Sequence, residues 1–167
     1  MKEVQEIVQS TLDRVRTFSQ TLHPAVLEEA GLEVAVRQYL KAFEKQNEIR
    51  VIYETSGEPQ VLDQSTSIHT YRVLQEALNN VARHSKADRA SVRLRYSPQS
   101  LVLEVEDGGV GLVRTGAPGM GLVSMRERAE LVHGRLDLVE ASGGGLLVRL
   151  TVPTAPQPQP VAGARNG

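Results

Sequence analysis

The sequence predicts a two-layer α+β fold, in which one sheet packs against helices on a single face. The second half of the chain contains alternating strands joined by short turns, which is typical of hairpins. The first half contains two long segments with apolar residues at helical spacing. No regular strand–helix–strand alternation runs through the chain, and this argues against a doubly wound sheet.

Composition excludes several classes of protein. The chain has 167 residues, with 19 Lys and Arg against 20 Asp and Glu, which suits one domain with small appendages and gives no charge footprint for nucleic acid. It has no cysteine, so disulfides, thiolate zinc sites and cysteine nucleophiles are excluded. Because no apolar run is long enough to cross a bilayer and the N-terminus is too polar for a secretory signal, we expect a soluble, cytoplasmic protein without a membrane segment.

Residues 1–24 are predicted to form a helix that pairs with partner helices. Their seam positions alternate by four and three residues, as in a heptad repeat. An amphipathic helix packed on its own domain is the alternative. Pro24 ends the segment because the residue before a proline is disfavoured in helical geometry. The seam consists of Val4, Val8, Thr11, Val15, Phe18 and Leu22.

The domain itself is predicted to span residues 25–153. Helices are expected over about 33–47 and 63–85, with a strand over 49–55 between them. A hairpin of strands near 90–96 and 101–105 follows, and then a glycine-rich loop over 108–121. A further helix closes at Gly134, and two strands starting at Leu136 and Leu146 complete the sheet. Residues 154–167 are rich in Pro, Gln, Ala and Gly and are predicted to be a disordered tail.

The second long helix carries a polar stripe. Glu76, Asn80, Arg83 and His84 recur at spacings of three and four residues, away from the apolar face. An amide oxygen such as that of Asn80 suits Mg²⁺ when phosphates and waters complete the coordination. Arg83 or His84 can neutralise phosphate oxygens, and Glu76 can orient a water or accept a proton. The same pattern also fits an ordinary solvated helix face.

Two glycine motifs follow this helix. Asp107 ends a strand, where its carboxylate can accept a hydrogen bond from an exocyclic amine. Gly109 and Gly111 then allow the backbone to approach a planar ring, although such a motif also occurs in ordinary turns. Gly119 and Gly121 directly precede a helix, whose first amides and dipole favour an anion. A plain helix-entry turn is the alternative.

The order of these motifs is more informative than any one of them. A polar helix stripe, a hairpin, the Asp107 motif and the glycine pair before a helix would surround one nucleotide. The base would lie at Asp107 and the phosphates between Asn80 and Gly121. The sequence contains no Walker phosphate loop and no HRD or DFG motif of protein kinases.

These motifs resemble the ATP-binding domain of bacterial sensor histidine kinases, within the group shared with gyrase, MutL-type proteins and heat-shock chaperone ATPases. Residues 75–85 (QEALNNVARHS) resemble its N-box. Residues 105–112 (VEDGGVGL) and 119–129 (GMGLVSMRERA) resemble its two glycine boxes. Residues 22–27 (LHPAVL) are similar to the junction after the dimerisation helix. This junction and the MRER sequence are typical of the subfamily that signals to helix-turn-helix response regulators. The resemblance covers about residues 5–153.

The resemblance implies a Bergerat-type fold, with a mixed, mostly antiparallel sheet, helices on one face and a preceding dimerisation helix. It implies that Asn80 coordinates Mg²⁺, that Glu76 assists as a base or water-orienting group and that Asp107 reads the adenine amine. The residues implied to bind Mg-ATP are Asn80, Arg83, His84, Asp107, Gly109, Gly111, Gly119, Met120, Gly121 and Leu122, with Glu76 and Asn80 as the catalytic pair and Asn80 as the metal ligand.

Two positions depart from the family pattern. Gly108 stands where the family usually has Asn or Asp, which loosens the loop. Residues 143–146 (GGGL) replace a turn that usually ends in a hydroxyl residue near the adenine. His23 is a junction residue followed by proline, so we expect the phosphoacceptor histidine to lie on a helix absent from this chain.

The function implied is that of a histidine kinase catalytic fragment that binds Mg-ATP and donates the γ-phosphate to that histidine, for relay to a response regulator. The parent protein would be a homodimer through residues 1–24, with no nucleic-acid partner. A non-catalytic ATP-binding or dimerisation module is the first alternative. A serine kinase of the anti-sigma type is the second, although such kinases normally lack the Leu-His-Pro junction.

Overall fold

The computed structural model describes residues 25–110, 119–141 and 143–154. The predicted helix over 1–24, Gly111, residues 112–118 and residues 155–167 lie outside the described residues. Among the described residues, no helix combines the length and the apolar character needed to cross a bilayer.

The described elements follow the predicted order, with boundaries shifted by a few residues. Two features were not predicted, namely the short first helix and a π-helical turn that ends the long one. The helices are α1 (Ala25–Ala30), α2 (Leu32–Asn47), α3 (Gln64–Asn80, continued by the π-helical turn Val81–Ser85) and α4 (Met120–Leu131), and the strands are β1 (Arg50–Ser56), β2 (Arg89–Tyr96), β3 (Ser100–Asp107), β4 (Arg135–Glu140) and β5 (Leu146–Pro153).

The sheet confirms the predicted fold class. Its strand order is β1-β2-β3-β5-β4. Only the β1–β2 pair is parallel, and the other three pairs are antiparallel. Alternate residues of the central strands face the helices and are buried, so the core lies between the sheet and α2, α3 and α4. The fully buried residues of these strands include Val92, Leu94, Leu101, Leu103, Val105, Leu150 and Val152.

Helix α3 lies at the centre of the helical layer. Asp63 caps its N-terminus, where Oδ1 accepts a hydrogen bond from the Thr66 amide at 2.8 Å. Bonds from the Thr66 side chain and amide lower the pKa of Asp63. Val73, Leu74 and Leu78 of this helix are fully buried. Because α3 is buried on a wide part of its surface, its position is fixed, and so are the positions of the polar residues near its C-terminal end.

The ends of α4 and β3 place the later glycine motifs. Helix α4 begins after Gly119 and closes as predicted, since the Gly134 amide donates to the Ala129 carbonyl at 2.8 Å. Asp107 is the last residue of β3, and Glu106 pairs with Leu147 of β5. The turn before β5 therefore reaches the end of β3 beside Asp107.

The face of the sheet away from the helices is stabilised by an ion network centred on Glu104. This carboxylate is 2% exposed. It accepts hydrogen bonds from Arg149 at 2.7 Å, from Arg93 at 3.1 Å and from Arg95. Arg93 also contacts Glu106 at 2.5 Å. Burial alone would raise the pKa of Glu104, but the bonds from the three arginines outweigh it and the pKa is lowered.

A separate cavity of about 840 Å³ lies at the other end of the helical layer. Its walls are α1, the start of α2, the segment 59–62 and the first turns of α3. None of the predicted nucleotide-site residues lines this cavity.

Replacing Glu104 by glutamine tests the ion network. At neutral pH we expect Glu104→Gln to lower the free energy of unfolding by about 1–2 kcal/mol, less than for a fully buried pair because the arginines are partly solvated. Since the pKa of Glu104 is lowered in the folded state, this stabilisation is present above the ordinary carboxyl pKa and is lost as the pH falls below it. Urea unfolding at pH 7 and at pH 3 measures the effect. Glu106→Gln serves as the control, because the described residues give Glu106 a single ion-pair partner, Arg93. An equal loss in both variants would contradict a network centred on Glu104.

Candidate functional site

Asp107 is held between two backbone segments. Its side chain is 6% exposed, and Oδ1 accepts a hydrogen bond from the Gly109 amide at 2.8 Å. Gly145 also lies against Asp107 with φ of +101°, and a Cβ there would collide with the Asp107 carbonyl and lie 3.0 Å from Oδ1. No group of the described residues donates to Oδ2, so this oxygen remains to accept a hydrogen bond from a ligand.

The loop after Asp107 packs directly on the end of α3. A Cβ on Gly109 would collide with the carbonyl and Cβ of Ser85. The next amide, that of Val110, donates to the same Ser85 carbonyl at 3.0 Å. The sequence pattern alone attributes the missing side chain to the approach of a planar ring. The structure gives a reason within the chain itself, since only glycine allows this loop to contact the helix end.

The π-helical turn changes the direction of the polar stripe. Ser85 ends the turn: its Oγ donates to the Val81 carbonyl at 2.7 Å and accepts from the Ala87 amide at 3.1 Å. Lys86 follows with φ of +55°. Because the wider turn alters the angle per residue, the regular stripe ends at Asn80. Arg83 and His84 lie on the π-turn instead, and both are exposed.

The start of α4 meets the remaining stripe residues. A Cβ on Gly121 would collide with Oε1 of Glu76 and lie 3.4 Å from Oδ1 of Asn80. Both polar side chains are half-buried. Gly119 provides no side-chain cap, and the described residues offer no acceptor for the amides of Met120 and Gly121. A carboxylate oxygen, an amide oxygen and unpaired helix amides therefore converge, which is the donor set that a Mg²⁺-bound phosphate requires.

Two basic side chains extend this side of α3 toward its N-terminus. His69 and Arg72 are half-buried, and Arg72 donates to Gln75 at 2.9 Å. Desolvation, followed by the nearby charge of Arg128 on α4, lowers the pKa of both residues. No carboxylate among the described residues forms an ion pair with Arg72 or Arg128. The groove between α3 and α4 is therefore electropositive beyond Glu76.

The structure brings most of the predicted residues to the last three turns of α3. Glu76 and Asn80 contact the start of α4, and Asp107 and Gly109 connect to Ser85. Gly119 and Met120 are exposed and Leu122 is half-buried at the start of α4, while Gly111 lies outside the described residues. In the ranges that the structure covers, no three His, Asp or Glu side chains form a cluster that could hold a metal ion.

The family of the chain follows from its similarity to known proteins. Residues 65–156, more than half of the chain, match the family of histidine kinase-, DNA gyrase B- and HSP90-like ATPases. The chain belongs to this family. Domains of the family bind ATP. Over 155 residues the chain is 38% identical to the oxygen sensor histidine kinase NreB of Staphylococcus carnosus, and the match covers 91% of this chain and 45% of NreB. The chain thus spans less than half of that relative.

Solved structures share the ATPase-family fold. The histidine kinase domain of the blue-light activated kinase EL346 from Erythrobacter litoralis has a TM-score of 0.61 at 21% identity, covering 74% of this chain and 61% of that one. The histidine kinase AdeS from Acinetobacter baumannii has a TM-score of 0.60 at 19% identity, covering 89% and 79%. The ATP-binding domain of PrrB from Mycobacterium tuberculosis has a TM-score of 0.57 at 16% identity, covering 71% and 90%. At these identities the likeness shows the fold.

Sequence reasoning assigns no role to two residues that shape this ATPase-family site. Ser85 connects α3 to the Asp107 loop, and Gly145 contacts Asp107 from the turn before β5. A hydroxyl residue that ends a long helix is the available signal for Ser85, because serine side chains often bond to the backbone at helix ends. Gly145 lies within a run of three glycines, and the sequence does not indicate which of them must contact Asp107.

Alanine at two neighbouring glycines tests the loop contact. Gly109→Ala forces the loop away from Ser85 and should lower the free energy of unfolding by about 1–3 kcal/mol. A Cβ on Gly108 would meet no atom of the described residues within 4 Å, and Gly108 has no positive φ. We therefore expect Gly108→Ala to be neutral or to stabilise by about 0.4–1 kcal/mol. Urea unfolding of the two variants measures the difference. Equal stability of both variants would show that the loop does not require the close contact.

Proposed function

We propose that this chain is the ATP-binding catalytic part of a sensor histidine kinase. It binds Mg-ATP and presents the γ-phosphate to a histidine on a dimerisation helix, for relay to a response regulator. The observation that carries the proposal is the convergence of two glycine loops on residues 76–85 of α3, one at Ser85 and one at Glu76. The likeness to NreB supports the assignment as a kinase. Dimerisation through residues 1–24 is part of the same proposal.

The base and the phosphates bind at the two loops. Asp107 accepts the exocyclic amine of adenine through Oδ2, because Oδ1 is occupied by the Gly109 amide. The Asn80 amide oxygen holds Mg²⁺, which neutralises phosphate charge when bound. The amides of Met120 and Gly121, for which the described residues offer no acceptor, bind phosphate oxygens with the help of the α4 dipole. Leu122 completes the wall of the pocket, Arg83 supplies positive charge near the phosphates, and the His84 imidazole donates a hydrogen bond to a phosphate oxygen. Gly111 retains the role that the family resemblance implies.

Transfer follows from positioning and charge neutralisation. A nitrogen of the acceptor imidazole forms a bond to the γ-phosphorus while the bond from phosphorus to the bridging oxygen breaks, and ADP leaves. Glu76 lies next to Asn80 and accepts the proton that the other ring nitrogen loses. The electropositive groove at Arg72 and Arg128 lies beyond Glu76, where it opposes the build-up of negative charge.

A non-catalytic nucleotide-binding module is the second candidate. Gly108 leaves open space where the family usually has an amide or carboxylate side chain. Leu146, half-buried at the start of β5, brings no hydroxyl to the turn beside Asp107. Both features favour weaker nucleotide binding, and they concern the base side of the site rather than the phosphate side.

Nucleotide titration tests the assigned roles. Asp107→Asn replaces an acceptor by a donor toward the amine, so ATP affinity should fall by about tenfold to a hundredfold, or 1.4–2.7 kcal/mol. Asn80→Ala should leave metal-free ATP binding in place and abolish the gain in affinity from Mg²⁺. Calorimetric titration with and without Mg²⁺ measures both effects. The adjacent, exposed Asn79 provides the matched control, and Asn79→Ala should behave as the original chain.

Phosphoryl transfer distinguishes the two candidate functions. The chain is incubated with γ-labelled Mg-ATP and a separately produced dimerisation hairpin of a homologous kinase that carries the acceptor histidine. Acid-labile, base-stable label on the hairpin is expected, and Glu76→Gln should reduce its rate of appearance by about a hundredfold. Normal ATP binding with no label on any acceptor would favour the non-catalytic module.

A further inference from the structure

We propose that Ser85 is a positioning residue that sets the base selectivity of the nucleotide site by acting through Asp107. The inference rests on the proposed function, because it takes Asp107 as the group that reads the base. It assigns to a buried hydroxyl, which contacts neither base nor phosphate in this proposal, the task of holding the recognition group.

The Ser85 hydroxyl has a complete set of hydrogen bonds within the helix end. Ser85 is 5% exposed, and its Oγ is both donor to the Val81 carbonyl and acceptor from the Ala87 amide. It therefore fixes both sides of the π-turn, a conformation that is uncommon and needs support. Without the hydroxyl, the Ala87 amide loses its acceptor and the turn can relax toward ordinary α-geometry.

A chain of backbone contacts connects this turn to the carboxylate. The Ser85 carbonyl accepts the Val110 amide at 3.0 Å, and the backbone of Gly109 lies against Ser85. The Gly109 amide in turn donates to Oδ1 of Asp107 at 2.8 Å. The backbone of Gly145 also lies against Asp107, where a Cβ would collide with the Asp107 carbonyl. A movement of the Ser85 carbonyl therefore displaces the Gly109 amide, which among the described residues is the hydrogen-bond donor to the Asp107 carboxylate.

Restraint of the Asp107 carboxylate determines which base it accepts. Adenine presents an amine to Asp107, whereas the hypoxanthine of ITP presents a carbonyl oxygen at the same position. A fixed carboxylate then meets a second acceptor, and an unpaired buried acceptor is strongly disfavoured. A carboxylate that can rotate binds the amine less well and can also turn away from the carbonyl. Loss of the restraint should therefore weaken ATP binding more than ITP binding.

The experiment compares ATP and ITP affinities in the full chain. Ser85→Ala should lower the ratio of ATP to ITP affinity by about tenfold, which is 1.4 kcal/mol. Ser91→Ala is the matched control, since Ser91 is a half-buried serine on β2 whose Oγ accepts a hydrogen bond from Arg93. Ser85→Cys keeps the size and a weaker hydrogen-bonding group and should give an intermediate ratio. It also serves as the test if Ser85→Ala does not fold.

A double-mutant comparison with Asp107→Asn tests whether Ser85 affects base selectivity through Asp107. If Ser85 acts through Asp107, Ser85→Ala should not change the ratio further in the Asp107→Asn background. An equal loss of ATP and ITP affinity in Ser85→Ala would show a purely structural role and overturn the proposal. If Asp107→Asn alters the ratio and Ser85→Ala does not, this inference fails while the proposed function stands. If Asp107→Asn leaves the ratio unchanged, the reading of the base by Asp107 fails as well.

Discussion

The close approach of the Gly109 backbone to the Ser85 carbonyl is the constraint on which the site depends. Strand β3 and helix α3 belong to different layers, and the loop after Asp107 must contact the helix end for the carboxylate to be held. A second glycine, Gly121, makes the corresponding contact at Glu76. Glu76 and Ser85 lie nine positions apart on α3 and its π-helical turn, so one rigid element sets the spacing between the proposed base side and the proposed phosphate side.

The two faces of the sheet are stabilised by different interactions, and only the helical face contacts the elements that form the site. The helical face is an apolar core that fixes α3 and α4. The other face has no second layer among the described residues, and the buried carboxylate of Glu104 with its arginines takes that place. The carboxylates of this network form their hydrogen bonds with arginines and not with Asp107. Asp107 ends the same strand but faces the helices.

Long periodic segments were predictable from the sequence, and contacts between layers were not. The pattern of the hairpin β2–β3 and the glycine after α4 placed those elements within a few residues. Helix α1 has six residues, too few to show a period, and the π-turn has no sequence period at all. For the site, the order and spacing of the motifs predicted that Asn80 and Gly121 lie close together, and the structure confirms this. The packing of Gly109 on Ser85 depends on how a loop crosses to another layer, which spacing along the chain does not encode.

The central claim is that one nucleotide spans the two glycine contacts on α3, and a crystal structure with a non-hydrolysable ATP analogue and Mg²⁺ tests it most directly. We expect the adenine amine within hydrogen-bonding distance of the Asp107 carboxylate and the triphosphate between Asn80 and the start of α4. A nucleotide bound elsewhere, for example in the cavity beside α1, or one with its base turned away from Asp107, would contradict the claim.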